Sequence, residues 1–202
     1  MLAKRGLDIA LALLGLLLLS PIFLGVAVAL LLERKGPIFF RQRRPGLRGR
    51  PFTLIKFRSM TEARDAAGNL MPDGARLTRL GRLLRSTTLD ELPELWNVLR
   101  GEMSIVGPRP LLMQYLGRYS PEQARRHAVR PGLTGYAQIK GRNALSWDEK
   151  LALDTWYVDN RTMRLDLHII AATVMLVLRR QGISAAGEAT MGEFMGSDGK
   201  GR

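Results

Sequence analysis

LDIALALLGLLLLSPIFLGVAVALLL, residues 7–32, is an almost unbroken apolar run. A membrane span needs about 20 such residues, so length alone allows one. Ser20-Pro21 interrupts the run near its middle. Proline removes a backbone donor and clashes with the preceding turn, so it bends or breaks a helix. Each arm is then about 11 residues, or roughly 16 Å of helix. That is about half of a ~30 Å hydrocarbon core, so two arms can dip to the midplane and return on the same side. A kinked spanning helix is the competing expectation, because neighbouring groups can repair a proline break. Charge does not choose between them. Lys4 and Arg5 precede the run, and Arg34, Lys35, Arg41, Arg43 and Arg44 follow it. Either way the following segment is expected in the cytoplasm. The run is long for a signal peptide, and Leu-Leu-Glu-Arg-Lys after it offers no small-residue cleavage site. Lys4 and Asp8 have the spacing of a helical ion pair.

Outside this run the chain is polar and basic. Lys and Arg number 31 against 18 Asp and Glu, a net charge of +13. Such a surplus calls for an anionic partner: nucleic acid, anionic lipid or a phosphorylated substrate. Cysteine is absent, which excludes disulfides and thiolate metal sites. Aromatic residues are only 6% and no nucleic-acid-binding motif is present, so nucleic acid is the weakest of the three.

The chemistry is concentrated in STTLDELPELWNVLRGEMSIVGPRP, residues 86–110. Asp90 and Glu91 are adjacent carboxylates at the start of an expected short helix. Arg85 lies just before them, and Arg109 follows in a Gly-Pro-Arg-Pro turn. Carboxylates beside fixed arginines suit a site that handles phosphate and a divalent metal. A bland alternative stands beside this: Thr88 and Glu91 have capping-box spacing, and acids in a first helical turn favour the macrodipole.

Residues 37–43 and 51–60 are short Phe-, Ile- and Thr-rich segments around the turn PGLRGR, a β-hairpin. Lys56 and Arg58, two apart on its second strand, share a face. They are candidate phosphate ligands or simply a solvated basic face. Residues 61–74 are a polar, turn-rich loop. RLTRLGRLLR, residues 76–85, is an amphipathic basic helix. A helix is expected over 111–119. Ser120-Pro121 marks another helix start, with His127 beyond it as a structural residue. RPGLTGYAQIKGRN, residues 130–143, reads as an ordered glycine-rich loop whose Arg142 reaches a phosphate or lies in solvent. Ser146 with Glu149 is a capping box opening a helix to Asp159. Residues 165–180 form a buried or interfacial helix, and a glycine-rich tail from residue 187 is expected to be mobile.

These segments, in this order, resemble the bacterial sugar transferase family, the monotopic phosphoglycosyl transferases. The resemblance is carried by KRGLDIALALLGLLLLSP, GPIFFRQRRPG, FTLIKFRSM, RLTRLGRLLRSTTLDELPELWNVLRGEMSIVGPRP, RPGLTGYAQIKGRN and residues 154–166. It implies an α+β, mainly helical fold. Residues 1–35 would be a re-entrant membrane helix broken at Ser20-Pro21. Residues 36–186 would be a small cytoplasmic catalytic domain with a β-hairpin and amphipathic interfacial helices. The implied reaction moves a sugar 1-phosphate from a UDP-sugar to polyprenyl phosphate, with Mg²⁺, at the cytoplasmic face of the bacterial plasma membrane. By resemblance Asp90 is the nucleophile and metal contact, and Glu91 its partner. Lys56, Arg85 and Arg109 are basic residues lining the site, and Asp154 and Asp166 support it. GISAAGEATMGEF near the end is similar to short members acting on N-acetylated amino sugars, with Gly192 standing where proline is expected. Two other readings fit the charge and the acids: a membrane-anchored basic protein binding anionic lipid or nucleic acid, and a metal-dependent membrane phosphohydrolase.

Overall fold

Residues 2–33 form two helices, α1 (Leu2–Leu18) and α2 (Ser20–Glu33), bent by 61° at Leu19. The computed structural model describes residues 2–141, 144–179 and 192–196. Pro21 sits in the first turn of α2, where a missing N–H costs nothing. The Ser20 hydroxyl donates back to the Leu17 carbonyl at 2.8 Å. Among the described residues no single helix is long and apolar enough to cross a membrane; only the bent pair passes together. Leu13, Leu14, Leu17 and Leu18 on α1, and Ile22, Leu24, Val28, Leu31 and Leu32 on α2, are exposed. So many exposed aliphatic side chains on one element mark a surface built for an apolar partner.

The remainder is mainly helical with little sheet. Strands β1 (Phe39–Pro45) and β2 (Pro51–Phe57) pair antiparallel as the expected hairpin, with Phe40 opposite Lys56 and Arg44 opposite Phe52. After a polar loop come α3 (Asp73–Arg76) and α4 (Arg79–Ser86). The basic helix therefore starts later than its leucine spacing suggests. Thr78 caps it, accepting from the Gly81 amide at 2.8 Å, and Leu77 stays outside. Then follow α5 (Glu94–Leu99), β3 (Ser104–Val106), α6 (Pro121–Ala124), β4 (Gly132–Thr134), α7 (Tyr136–Lys140), α8 (Trp147–Asn160) and α9 (Met163–Leu178). β3 and β4 pair in parallel.

Three expectations change. The segment after Pro110 forms a 3₁₀ turn over Met113–Arg118, not an α-helix. The glycine-rich 130–143 segment contains α7 as well as its extended piece. Its glycines serve close approach: a Cβ on Gly132 would lie 2.1 Å from the Gly107 nitrogen. In the tail, residues 192–196 are packed, with Phe194 buried among Tyr115, Trp147 and Leu151. The rest of the tail, like Arg142, lies outside the described residues. The capping box of Ser146 with Glu149 forms as expected, and the expected helix start at Ser120-Pro121 proves to be a second box, Ser120 with Gln123.

α1 is a wall of the main core. Ala12 is fully buried with Leu95, Val98, Met103, Tyr157 and Ile169. Its polar residues turn inward. The Lys4–Asp8 pair therefore does not form. Lys4 Nζ reaches Asp166 at 2.6 Å, and buried Asp8 accepts from the Ser104 hydroxyl and the Ile105 amide, each at 2.9 Å. Arg5 donates to the Val98 and Leu99 carbonyls at 2.7 and 2.8 Å, capping the C-terminus of α5. α2 packs separately: Val26 and Leu30 meet Phe57 and Leu84.

Candidate active site

The acid pair is delivered by a strained turn. Thr88 has φ +61°, a left-handed conformation that a β-branched residue rarely adopts. A 3₁₀ turn over Leu89–Glu91 follows, and α5 begins only at Glu94. The expected capping box at Thr88 is absent. Its acid is engaged elsewhere: Glu91 is bound by Lys56 at 2.8 Å and by Arg109, whose two terminal nitrogens face its two carboxylate oxygens. A buried, doubly paired carboxylate cannot also turn back to cap a helix.

Each cation has its own support. Lys56 is placed by β2 and also reaches Glu94 Oε1 at 3.0 Å. Arg109 is placed by the Gly107–Pro110 turn. That turn needs a glycine, because a Cβ on Gly107 would lie 2.4 Å from the Arg130 carbonyl. The turn is held from beneath by Arg126, which donates to the Arg109 carbonyl at 2.8 Å and to buried Asp154 at 2.6 Å. The strand leading into it is held by Tyr157, whose hydroxyl reaches Asp166 at 2.7 Å and the Val106 carbonyl at 3.2 Å. Asp154 and Asp166 thus act at one remove, as braces for Arg109. Arg85 lies on α4, hydrogen-bonded to the Ser59 hydroxyl at 3.1 Å, and its charge is felt at Asp90.

Asp90 differs from Glu91 in one respect that matters. It is 8% exposed, and among the described residues its carboxylate makes no hydrogen bond or ion pair. Burial and the neighbouring Glu91 push its pKa up to about 6, against the pull of Lys56, Arg109 and Arg85. Burial would raise Glu91 too, but Arg109 and Lys56 outweigh it and hold it well below the usual carboxylate range. One acid is committed; the other is available. Among the described residues no three acidic or histidine side chains converge on a common point. A cation here would have few protein ligands. Mg²⁺, were it bound here, would take one or two carboxylates from the protein and its other ligands from substrate phosphates and water.

Not every residue singled out from sequence belongs here. Arg58 lies past the last paired residue of β2 and folds away, donating to the Pro37 carbonyl at 2.9 Å and to Glu62 at 3.0 Å. Conversely, Glu94 and Arg126 were not singled out. Glu94 is 2% exposed, and burial, opposed by Lys56 and aided by Glu91, raises its pKa to about 7. Its place three residues after Glu91, one helical turn on, was the available signal. Arg126 sits in a basic run that gave none.

His127 packs its ring against Tyr119, the centroids 5.6 Å apart. Burial and Arg126 lower its pKa to about 4, opposed by a hydrogen bond with the Gly46 backbone. The unfolded chain takes up this proton below about 6.5, the folded one only near 4. The neutral histidine therefore supports the fold above 6.5, and that support is lost as pH falls toward 4. His127→Gln should flatten the decline in thermal midpoint between pH 6.5 and 4.5; an unchanged slope would mean the imidazole charges without cost.

The sequence model of the bacterial sugar transferase family matches residues 1–180. The chain belongs to that family. The uncharacterized sugar transferase EpsL of Bacillus subtilis strain 168 is 53% identical over 98% of each chain. The UDP-glucose:undecaprenyl-phosphate glucose-1-phosphate transferase of Caulobacter vibrioides is 42% identical, over 88% of this chain and 70% of that protein. The UDP-N-acetylgalactosamine-undecaprenyl-phosphate N-acetylgalactosaminephosphotransferase of Aeromonas hydrophila is 38% identical, over 87% of this chain and 43% of that protein. This chain therefore spans less than half the length of the Aeromonas relative.

Proposed function

We propose that the chain transfers a sugar 1-phosphate from a UDP-sugar to polyprenyl phosphate through an aspartyl-phosphosugar on Asp90. The observation that carries this is the unequal acid pair: a buried, uncommitted Asp90 beside a Glu91 locked by Lys56 and Arg109. An oxygen of Asp90 attacks the β-phosphorus of the donor. The bond from that phosphorus to the bridging oxygen breaks, and UMP leaves. An oxygen of polyprenyl phosphate then attacks the same phosphorus, freeing Asp90 and giving a polyprenyl diphosphosugar. Lys56, Arg85 and Arg109 offset charge on the transferring oxygens. Glu91 positions Lys56 and Arg109. Asp90 together with donor phosphates would hold Mg²⁺, which when bound neutralises diphosphate charge. The test is a panel of UDP-sugars with polyprenyl phosphate and Mg²⁺, scoring UMP release. Repeated turnover with at least one sugar, dependent on the lipid beyond a first stoichiometric release of UMP, is expected. Free sugar phosphate without the lipid would instead mean a phosphohydrolase.

The bent helix pair is the means by which a soluble donor and a lipid acceptor meet. In our reading it is a re-entrant hairpin with both ends at the cytoplasmic face of the plasma membrane. The 61° bend and the exposed aliphatic side chains on both arms support this. The chain has no cysteine, so single cysteines at Leu2 and Lys35 report unambiguously. Both should label from the cytoplasmic side; labelling of Leu2 from the opposite side would defeat the hairpin. Pro21→Leu should move the segment toward a straight span and change that outcome for Leu2.

A further inference from the structure

Among the described residues Arg44 forms no ion pair, and Glu94 is the acid whose charge reaches it. The hairpin register puts it opposite Phe52, on the same sheet face as Lys56, which is opposite Phe40. Four residues of β2 separate the two positions, roughly 13 Å along the strand. The charge of Arg109 is felt at both Lys56 and Arg44, and Glu91 holds Lys56 and Arg109 together. The Arg44 guanidinium is held by neutral groups only: Gln42 Oε1 at 2.6 Å, and the carbonyl of Pro110 at 3.4 Å, next to Arg109 itself. Its Nε is buried with no partner, and no carboxylate lies within ion-pair distance among the described residues. Burial and then Arg109 lower its pKa to about 10, the mark of a desolvated cation beside a like charge. A guanidinium that touches the turn carrying Arg109, with no ion pair and a donor left over, is an arrangement that an anion completes. Lys56, Arg85 and the acid pair already account for the reacting phosphorus. Arg44 meets the same Pro-flanked turn from the other end of the hairpin face, through the Pro110 carbonyl.

We propose that Arg44 and Arg109 bind the phosphate next to the nucleoside, the group that departs as nucleoside monophosphate. This rests on the donor being a nucleoside diphosphate sugar, as proposed above. The competing explanation is that Arg44 merely props the Pro110 carbonyl. The two differ in what Arg44→Gln does to charged and uncharged nucleoside ligands. Binding of UMP and of uridine is measured by calorimetry on the full chain in detergent, for wild type, Arg44→Gln and Arg44→Lys. UMP binding should weaken about tenfold or more in Arg44→Gln, with partial recovery in Arg44→Lys and uridine binding unaltered. Equal losses for UMP and uridine, or no loss for either, would overturn the assignment. If Arg44→Gln does not fold, Arg44→Lys carries the test, because loss of the planar fork should still weaken UMP alone. A wild type that releases no UMP from any UDP-sugar yet binds UMP through Arg44 would sink the proposed reaction and spare this site. Normal turnover with Arg44-independent UMP binding would do the reverse.

Discussion

Asp90→Asn should abolish both transfer and the covalent adduct. Incubated with UDP-sugar and Mg²⁺ but no lipid acceptor, the wild-type chain should gain the mass of one sugar phosphate, and the variant none. Turnover should fall by on the order of 10³-fold or more, as it does when a nucleophile is removed. Adjacent residues in a helical turn point about 100° apart, so the two acids cannot do the same work. Glu91 is consumed by Lys56 and Arg109. Asp90 has no ion pair to break before it attacks, and its short side chain limits its freedom. Because it must be ionised, the rate with free protein should fall as pH drops through about 6. Glu91→Gln should also be badly impaired but should still trap some adduct. Two-substrate kinetics should be ping-pong. An adduct that persists in Asp90→Asn would refute the assignment; kinetics requiring a ternary complex would point to direct displacement.

Arg109→Lys should lose about 10²-fold in turnover while remaining folded. Lysine keeps the charge but not the fork. Arg109 spends two terminal nitrogens on Glu91 and is still 40% exposed at its side chain, so its remaining donors are available to a ligand. A lysine ammonium facing Glu91 has no such rigid surplus. Beneath the turn, Arg126, itself paired with Asp154, grips the Arg109 carbonyl, and Tyr157 grips the Val106 carbonyl. The substitution therefore leaves the turn in place, and an unchanged thermal midpoint should accompany the loss. Near-normal turnover would leave the arginine with a structural role alone.

The helices and the hairpin were legible because their signals are local. Ser146 with Glu149, Ser120 with Pro121, and Pro21 in an apolar run each announce a structure within one turn. The acid pair and its Pro-flanked arginine were legible as residue types. What escaped was long-range. Lys4 pairs with Asp166, 162 positions away, so an i, i+4 partner at Asp8 looked sufficient. Arg126 reads as part of a basic run until its carboxylate, Asp154, is brought beneath it by α8. Arg58 looks equivalent to Lys56 by strand alternation, which ceases to apply where the strand ends. Thr88 looked like a cap because the pattern cannot show that Glu91 is already taken.

The docking of α1 sets the altitude of the chemistry. Arg5 clasps the end of the helix that follows the acid pair, and Lys4 and Asp8 grip the strand and helix that brace Arg109. In the proposed seating, this makes the membrane element a strut rather than a tether. Asp90 then stands at one fixed height above the bilayer midplane, where a polyprenol headgroup surfaces, and does not search for it. A chain cut after residue 35 would accordingly lose more than its anchorage. Val98 and Leu95 would face water, Asp166 would lose its ammonium, and the end of α5 would be uncapped, so catalysis and membrane attachment cannot be separated by truncation.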